Sequence, residues 1–142
     1  MNLIAVFLFH FAASTHPLAI FSPQVIPLGA SSFNQNVTST WVVLYFAPWC
    51  RYCKEFIPVF SRVAASSHTG LRFGVVNCET EIVFCYQQNV RQYPTVVYYN
   101  GKQVMGEMNL DLFESQVKNL SNVSVKESYT YLVSLIFYIA IV

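Results

Sequence analysis

The sequence predicts an α/β fold, with a central mixed β-sheet flanked by helices on both faces. Apolar runs rich in β-branched and aromatic residues alternate with segments of helical period, the order expected of layered α/β domains. An Asn-Gly pair late in this series predicts a hairpin, and therefore an antiparallel edge to the sheet. The chain has 142 residues, of which 54% are hydrophobic and 11% charged. This composition suits one domain with a real core and excludes disorder over most of the chain.

The individual elements follow from local periodicity. Residues 41–46 are continuously apolar, as in a strand buried on both faces. A turn at 47–49 precedes a change to helical period, with one apolar face on Phe56, Ile57, Phe60, Val63 and Ala64. The other elements expected in chain order are a strand at 25–28, a short helical turn at 32–37, a strand at 71–76, a helix at 81–88, strands at 95–99 and 103–105, and a last helix capped by Asn109 and carrying Leu110, Phe113, Val117 and Leu120.

Two apolar segments flank this predicted domain, which we place at residues 20–121. Residues 3–11 are apolar except for His10, which is typical of a secretory signal peptide within residues 1–19; an N-terminal core element is the alternative. Residues 122–142 form a polar spacer and a short apolar tail. The uncharged stretch 129–142 would make a helix of about 21 Å, short for a hydrocarbon core of about 30 Å. A membrane anchor, a removed lipid-anchor signal and a helix docked on the domain all remain open.

Three glycosylation sequons agree with a secretory route. They begin at Asn36, Asn119 and Asn122. Together with the N-terminal segment they indicate an oxidising compartment, in which disulfides persist. The formal net charge of +1 gives no basic face, so we expect no nucleic-acid partner.

A Cys-x-x-Cys motif lies where the first long helix is expected to begin. Cys50 and Cys53 are separated by Arg51 and Tyr52, and Trp49 precedes them. A helix N-terminus presents unpaired N–H groups and a partial positive charge, which favour a thiolate. We therefore expect Cys50 to attack a partner's disulfide, and Cys53 to attack Cys50 in turn and release the reduced partner. The reverse sequence oxidises a dithiol.

These residues carry a family resemblance. The run Tyr45-Phe46-Ala47-Pro48-Trp49-Cys50-x-x-Cys53-Lys54, with Pro58 following, resembles the thioredoxin superfamily, and most closely the catalytic a-type domains of protein disulfide isomerases. Tyr93-Pro94-Thr95 is similar to the family's cis-proline loop, and Cys78 with Cys85 to a second, non-catalytic cysteine pair. The resemblance covers about residues 25–120.

The resemblance implies a thioredoxin-like fold and a disulfide-exchange enzyme without a cofactor. It implies that Tyr93, Pro94 and Thr95 contact the client backbone, and that Cys78 and Cys85 form a structural disulfide; two separate buried thiols are the alternative. The expected partners are client proteins with thiols or disulfides, and glutathione or another redox partner. The expected location is the lumen or membrane of the endoplasmic reticulum, with the cell surface or secretion as the alternative.

The chain also departs from the family pattern. The family usually has Gly-His between the cysteines, whereas this chain has Arg51 and Tyr52; the permanent charge of Arg51 is a substitute for the histidine cation. Leu44 occupies the place of the family's buried acid, and Met108 the approximate place of an arginine. These losses affect the second step of the exchange more than the first.

Three alternatives compete with catalysis. The four cysteines could hold zinc, but the spacing of Cys78 and Cys85 does not match a zinc knuckle, and we expect no metal. A client-binding module with weak turnover is favoured by Leu44 and Met108, and Trp49, Tyr52 and Phe56 could supply its apolar patch, although Phe56 also fits the core. The chain could also be part of a larger multidomain oxidoreductase such as a sulfhydryl oxidase, whose flavin would need sequence absent here.

Overall fold

The computed structural model describes residues 20–33, 39–67, 70–101 and 103–141. In chain order its elements are β1 (Val25–Pro27), β2 (Thr40–Phe46), α1 (Arg51–Ser66), β3 (Leu71–Asn77), α2 (Ile82–Gln87), β4 (Thr95–Asn100), β5 (Gln103–Glu107), a 3₁₀ turn (Leu110–Leu112) and α3 (Phe113–Ile141). The predicted signal peptide at 1–19 and most of the predicted turn at 32–37, with Asn36, lie outside the described residues.

The five strands form one mixed sheet in the order β1-β3-β2-β4-β5, which confirms the predicted fold class. β3 runs parallel to both β1 and β2, since α1 carries the chain back across one face of the sheet between β2 and β3. β4 is antiparallel to β2, and β5 is antiparallel to β4 across the predicted Asn-Gly turn. Gly101 has a φ of 59°, the left-handed conformation that such a turn requires and that glycine adopts without strain.

Helices cover both faces of the sheet, as the sequence predicts. On one face Ile57 and Phe60 of α1 and Phe113 of α3 pack against Leu44 and Val75 of the strands. The rings of Phe60 and Phe113 stack with centroids 5.5 Å apart. The other face is covered by α2, whose buried residues Phe84 and Cys85 pack against a second cluster on the sheet. Strand β2 is therefore buried on both sides, because its alternate residues enter different cores.

The last helix is much longer than predicted. The sequence indicates one helix over about 110–120, whereas the structure has a 3₁₀ turn followed by α3, which continues without a break through the expected spacer into the tail. Asn109 caps the 3₁₀ turn, since its side-chain oxygen accepts the N–H of Asp111 at 2.9 Å. The apolar face that ends at Leu120 anchors the first two turns of α3 on the domain.

The far part of α3 does not lie on the domain. The large apolar side chains described between Tyr129 and Ile139 are exposed, with only Val133 partly covered. The alternative of a tail docked on the domain surface is therefore wrong, because docking would cover side chains that the structure leaves exposed. Within the residues that the structure describes, no helix is long and apolar enough to cross a membrane.

Candidate active site

The two cysteines of the Cys-x-x-Cys motif lie where β2 ends and α1 begins. Cys50 is the N-cap of α1, and its backbone N–H donates to the Ala47 carbonyl at 3.1 Å, which closes the turn after β2. The carboxyl ends of the parallel strands β2 and β3 meet at this edge of the sheet, and the antiparallel β4 begins there. The motif thus lies at an edge where three strands and a helix N-terminus converge.

Cys50 and Cys53 are both free thiols, and they differ in environment. The Sγ of Cys50 accepts the backbone N–H of Cys53 at 3.2 Å, in the way that an N-cap oxygen would. Cys50 is 6% exposed, whereas Cys53 lies one turn inside and is fully buried. The Cys50 sulfur is thus the one that a partner can reach, and it faces a backbone donor that suits a thiolate.

Burial raises the pKa of the Cys53 thiol from 9.0 to about 12, and its hydrogen bond to Cys50 adds to this rise. The groups that act on Cys53 are Cys50 and the backbone at Ala47 and at Cys53 itself, and none of them is a carboxylate. Leu44, which stands where the family has a buried acid, is completely buried in the same apolar cluster as Cys53. Cys53 therefore stays protonated at neutral pH.

The loop that resembles the family's cis-proline loop faces Cys50. The Tyr93–Pro94 peptide bond is cis, and Thr95 is the buried first residue of β4. The Cys50 thiol donates to the Tyr93 carbonyl at 3.5 Å. The sequence places Tyr93 in this loop but gives no signal for that contact, since a carbonyl oxygen is common to every residue type.

The residues around the cysteines divide into exposed and buried groups. Trp49 is 66% exposed and Tyr52 71% exposed, and the ring of Trp49 meets that of Tyr93 edge to face, with centroids 6.0 Å apart. Phe56 is partly buried and packs on Phe113 in the core, so it is not part of the exposed patch.

Arg51 and Met108 have partners other than the cysteines. The Arg51 guanidinium donates to Glu55 at 3.1 Å on an exposed face of α1, so its charge is shared with a carboxylate. Met108 is buried in the core, and its backbone N–H donates to the Val96 carbonyl at 2.8 Å. The Met108 side chain therefore packs in the core and brings no charge to the site.

The second cysteine pair forms a disulfide between Cys78, just after β3, and Cys85 in α2. The backbone N–H of Cys78 also donates to the carbonyl of Phe46, the last residue of β2 before the active-site turn, at 2.8 Å. Because these two sulfurs are bonded to each other, the four cysteines do not form a zinc cage. The described part of the chain holds no group of three or more histidine, cysteine or acidic residues suited to a metal ion.

Two of the three candidate glycosylation sites lie on α3. Asn119 and Asn122 are exposed there, accessible to a modifying enzyme. Asn36 lies outside the described residues.

Comparison with known proteins finds one matching family model and several similar proteins. The thioredoxin family model matches residues 24–122. DnaJ homolog subfamily C member 10 of Xenopus laevis is 33% identical over 106 residues, which cover 72% of this chain and 13% of that protein. A putative protein disulfide-isomerase of Dictyostelium discoideum is 29% identical over 114 residues, 75% of this chain and 28% of that protein. The chain thus spans only a small part of the length of these relatives.

Solved structures agree with this assignment. The Trx4 domain of ERdj5 superposes with a TM-score of 0.60 at 26% identity, over 68% of this chain and 94% of that domain. The J-Trx1 fragment of ERdj5 superposes with a TM-score of 0.65 at 22% identity, over 73% of this chain and 53% of that fragment, and this likeness concerns the fold alone.

Proposed function

Because this chain belongs to the thioredoxin family, we propose that it is a thiol–disulfide oxidoreductase of the protein disulfide isomerase type. The observation that carries the proposal is the pairing of Cys50 at the N-terminus of α1, which is 6% exposed, with a fully buried Cys53, whose backbone nitrogen lies 3.2 Å from the Cys50 sulfur. This is the arrangement that two-step disulfide exchange needs: one sulfur meets the client and the other waits behind it.

The proposed reaction moves two electrons. The Cys50 thiolate attacks one sulfur of a client disulfide, which forms a Cys50–client disulfide and releases the other client sulfur as a thiolate that takes up a proton. Cys53 then loses its proton and attacks the Cys50 sulfur, which forms the Cys50–Cys53 disulfide and releases the second client thiol. A dithiol client is oxidised by the same steps in reverse, and the reduction potential of the pair sets the net direction.

The contacts around Cys50 support binding of an extended client segment. The Tyr93 carbonyl lies 3.5 Å from the Cys50 sulfur, so it is placed to accept a backbone N–H from a client whose sulfur is bonded to Cys50. Trp49 and Tyr52 lie exposed beside Cys50 and offer apolar surface to client side chains. We assign Tyr93, Pro94 and Thr95 to client positioning, and Trp49, Arg51 and Tyr52 to the surroundings of the redox pair.

The proposed location is the secretory pathway, in the lumen or at the membrane of the endoplasmic reticulum, with glutathione or another thiol as redox partner. Similarity to protein disulfide isomerases supports this, as do the Cys78–Cys85 disulfide, which persists in oxidising compartments, and the exposed sequons at Asn119 and Asn122. In this proposal Cys78–Cys85 is structural, because it is buried and joins β3 to α2 away from solvent.

A second candidate function is client binding with slow turnover, and the burial of Leu44 beside Cys53 favours it. Without a nearby carboxylate to take the proton from Cys53, the second step is slow while the first is unaffected. The two functions differ in the lifetime of the Cys50–client disulfide.

Trapping tests both candidates. The full chain with Cys53→Ala, expressed in secretory cells and quenched with acid, should accumulate mixed disulfides with clients, and the matched variant Cys50→Ala should trap none. Wild-type protein should also reduce insulin catalytically with glutathione as electron donor. Trapping by Cys53→Ala without measurable turnover by the wild type would favour client binding. No trapping and no turnover would contradict the proposed activity.

A further inference from the structure

The far part of α3 carries an uncharged, exposed surface that the thiol chemistry does not use. Along 129–139, the exposed fractions reach 56% at Leu132, 65% at Ile136 and Phe137, and 72% at Ile139. The sequence has no Asp, Glu, Lys or Arg from residue 128 to residue 142. A surface of this kind on a soluble domain marks an interaction site.

The side chains of this segment are sorted around the helix. Successive residues of an α-helix are offset by about 100°, so Thr130, Ser134 and Tyr138 lie on one side, with Tyr131 beside them. This hydroxyl stripe is the side that carries the polar groups. The opposite side is an apolar arc of roughly 200°. Tyr129 is its first residue along the chain, and the others are Leu132, Val133, Leu135, Ile136, Phe137 and Ile139.

The two small hydroxyl groups of the stripe are bonded within the helix. Thr130 Oγ1 donates to the Lys126 carbonyl at 2.8 Å, and Ser134 Oγ donates to the Tyr131 carbonyl at 2.8 Å. A hydroxyl that donates to its own helix has a lower cost of transfer out of water. The stripe therefore tolerates a boundary between water and an apolar phase, where tyrosine rings with their polar tips are also favoured.

We propose that α3 lies in the interface of a lipid bilayer over residues 129–139, with the apolar arc facing the acyl chains and the hydroxyl stripe facing the headgroups. The width of the arc selects this occupant. A second copy of the helix would cover only a narrow seam of such an arc and would leave most of it in water. The hydroxyl stripe continues from Thr130 to Tyr138, which suits a helix lying in the interface, where one side stays with the headgroups along its whole length.

The absence of charge makes the proposed binding hydrophobic in character. Peripheral helices that use basic residues need anionic lipid and lose affinity in salt. We therefore expect this segment to bind vesicles of pure phosphatidylcholine equally well in 0.05 M and 0.5 M NaCl. The proposal uses none of the residues assigned to the redox site and does not depend on the proposed enzymatic activity.

Flotation of the full chain with phosphatidylcholine vesicles on a density gradient tests the proposal. All variants carry Phe7→Asp and Phe9→Asp, so that the N-terminal apolar run does not bind lipid itself. Adding Leu135→Asp and Ile139→Asp places two charges in the apolar arc and should lower the floated fraction at least tenfold. The matched pair Ser134→Asp and Tyr138→Asp adds the same charge to the hydroxyl stripe and should lower it less than threefold.

Unchanged reactivity of Cys50 with a chromogenic disulfide shows that each variant is folded. The parent chain is the one that carries only Phe7→Asp and Phe9→Asp. The proposal is overturned if the parent chain does not float, or if both charged pairs on α3 reduce flotation equally. It is also overturned if the parent chain stays in the aqueous fractions as a dimer that dissociates with Leu135→Asp and Ile139→Asp, since a second copy would then be the occupant.

Discussion

Raising the pH should accelerate the attack of Cys53 on the Cys50–client disulfide, with no levelling of the rate at or below about pH 9. The attacking species is the thiolate, and burial raises the pKa of Cys53 from 9.0 to about 12. At pH 7 the thiolate fraction falls from about 10⁻² for a thiol of pKa 9 to about 10⁻⁵ for one of pKa 12. The greater nucleophilicity of the more basic thiolate recovers roughly 16- to 30-fold, so the net rate is roughly 30- to 60-fold below that of an exposed thiol.

Part of this effect depends on the state of Cys50. Desolvation is the largest cause of the raised pKa of Cys53, and it persists while a client is attached because Cys53 is fully buried in the core. The smaller contributions come from the thiol hydrogen bond and the charge of Cys50, and these are lost once Cys50 is in a disulfide. The pKa that governs the second step should therefore lie between 9.0 and about 12.

Stopped-flow mixing of reduced protein with dithionitrobenzoate separates the two steps. Cys50 releases the first coloured thiolate at a rate proportional to reagent concentration, and Cys53 releases the second at a rate independent of it. We expect the second rate to rise about tenfold per pH unit from about pH 6.5 to about pH 8, as a titration well below its pKa requires. Cys53→Ala should show only the first phase. A second rate that levels off at or below pH 9 would refute the burial argument.

The same assay tests the role of Leu44. Leu44→Glu places a carboxylate in the cluster that surrounds Cys53, and it should raise the second rate at pH 7 by about tenfold or more, since a positioned general base typically contributes 10²–10⁴. Leu44→Gln has the same shape without a base and should leave that rate unchanged. An equal effect of both variants would point to a packing change instead of proton transfer.

Three further predictions concern stability. The free energy of unfolding of the dithiol form should fall by up to roughly 4 kcal/mol relative to that of the disulfide form as the pH rises from 9 to 12. The raised pKa of Cys53 stabilises the folded protein while the thiol is neutral, and this stabilisation is lost as the thiol ionises. Urea midpoints of the two forms that keep a constant difference over this pH range would contradict the prediction. Replacing Cys78 and Cys85 by alanine should lower the free energy of unfolding by about 2.5 kcal/mol, from loss of a cross-link with a sequence separation of 7, and a change below about 1 kcal/mol would show that the loop is held by packing. Phe113→Ala should cost about 3–5 kcal/mol in urea unfolding, since the ring is 1% exposed and stacks on Phe60, whereas Tyr131→Ala, at an exposed position, should change it by under about 0.5 kcal/mol.

The sequence predicts the centre of the sheet well because the central strand β2 is apolar on both sides. The run at 41–46 has no polar alternation, which is typical of a central strand with helices on both faces, and β2 has that place. The Asn-Gly pair predicts the β4–β5 hairpin through the positive φ that its glycine must adopt. Local chemistry determined both features, so no long-range information was needed.

The length of α3 could not be predicted in the same way. Its first two turns have an apolar face with the period of a surface helix, but from Tyr129 onward the apolar residues occupy an arc of roughly 200°, wider than the face that a helix usually packs on a domain. The same pattern is compatible with a docked helix, an anchor or an interfacial segment. Only the exposure of Leu132, Ile136 and Ile139 in the structure removes the docked helix from this set.

The site was predictable in its sulfurs and not in its surroundings. Cys50 and Cys53 are identified by spacing and by the neighbouring run, whereas the contact of Cys50 with the Tyr93 carbonyl depends on a backbone atom 43 residues away. From the sequence we expect Arg51 to substitute for a histidine cation because it directly follows Cys50. In the structure its guanidinium is directed along α1 to Glu55, because i and i+4 lie on one face of a helix.

The two candidate functions follow from one asymmetry in the site. Cys50 is the more exposed of the two sulfurs and accepts a backbone N–H, and both features favour the first step. Cys53 has the connectivity for the second step, but no carboxylate is among the described groups that act on its thiol. In the second candidate function we therefore expect mixed disulfides to form faster than they are resolved at neutral pH, so that clients remain attached for longer. Enzyme and binding module then differ in the ratio of the two rates, and the raised pKa of Cys53 makes the second step the one that limits turnover at neutral pH.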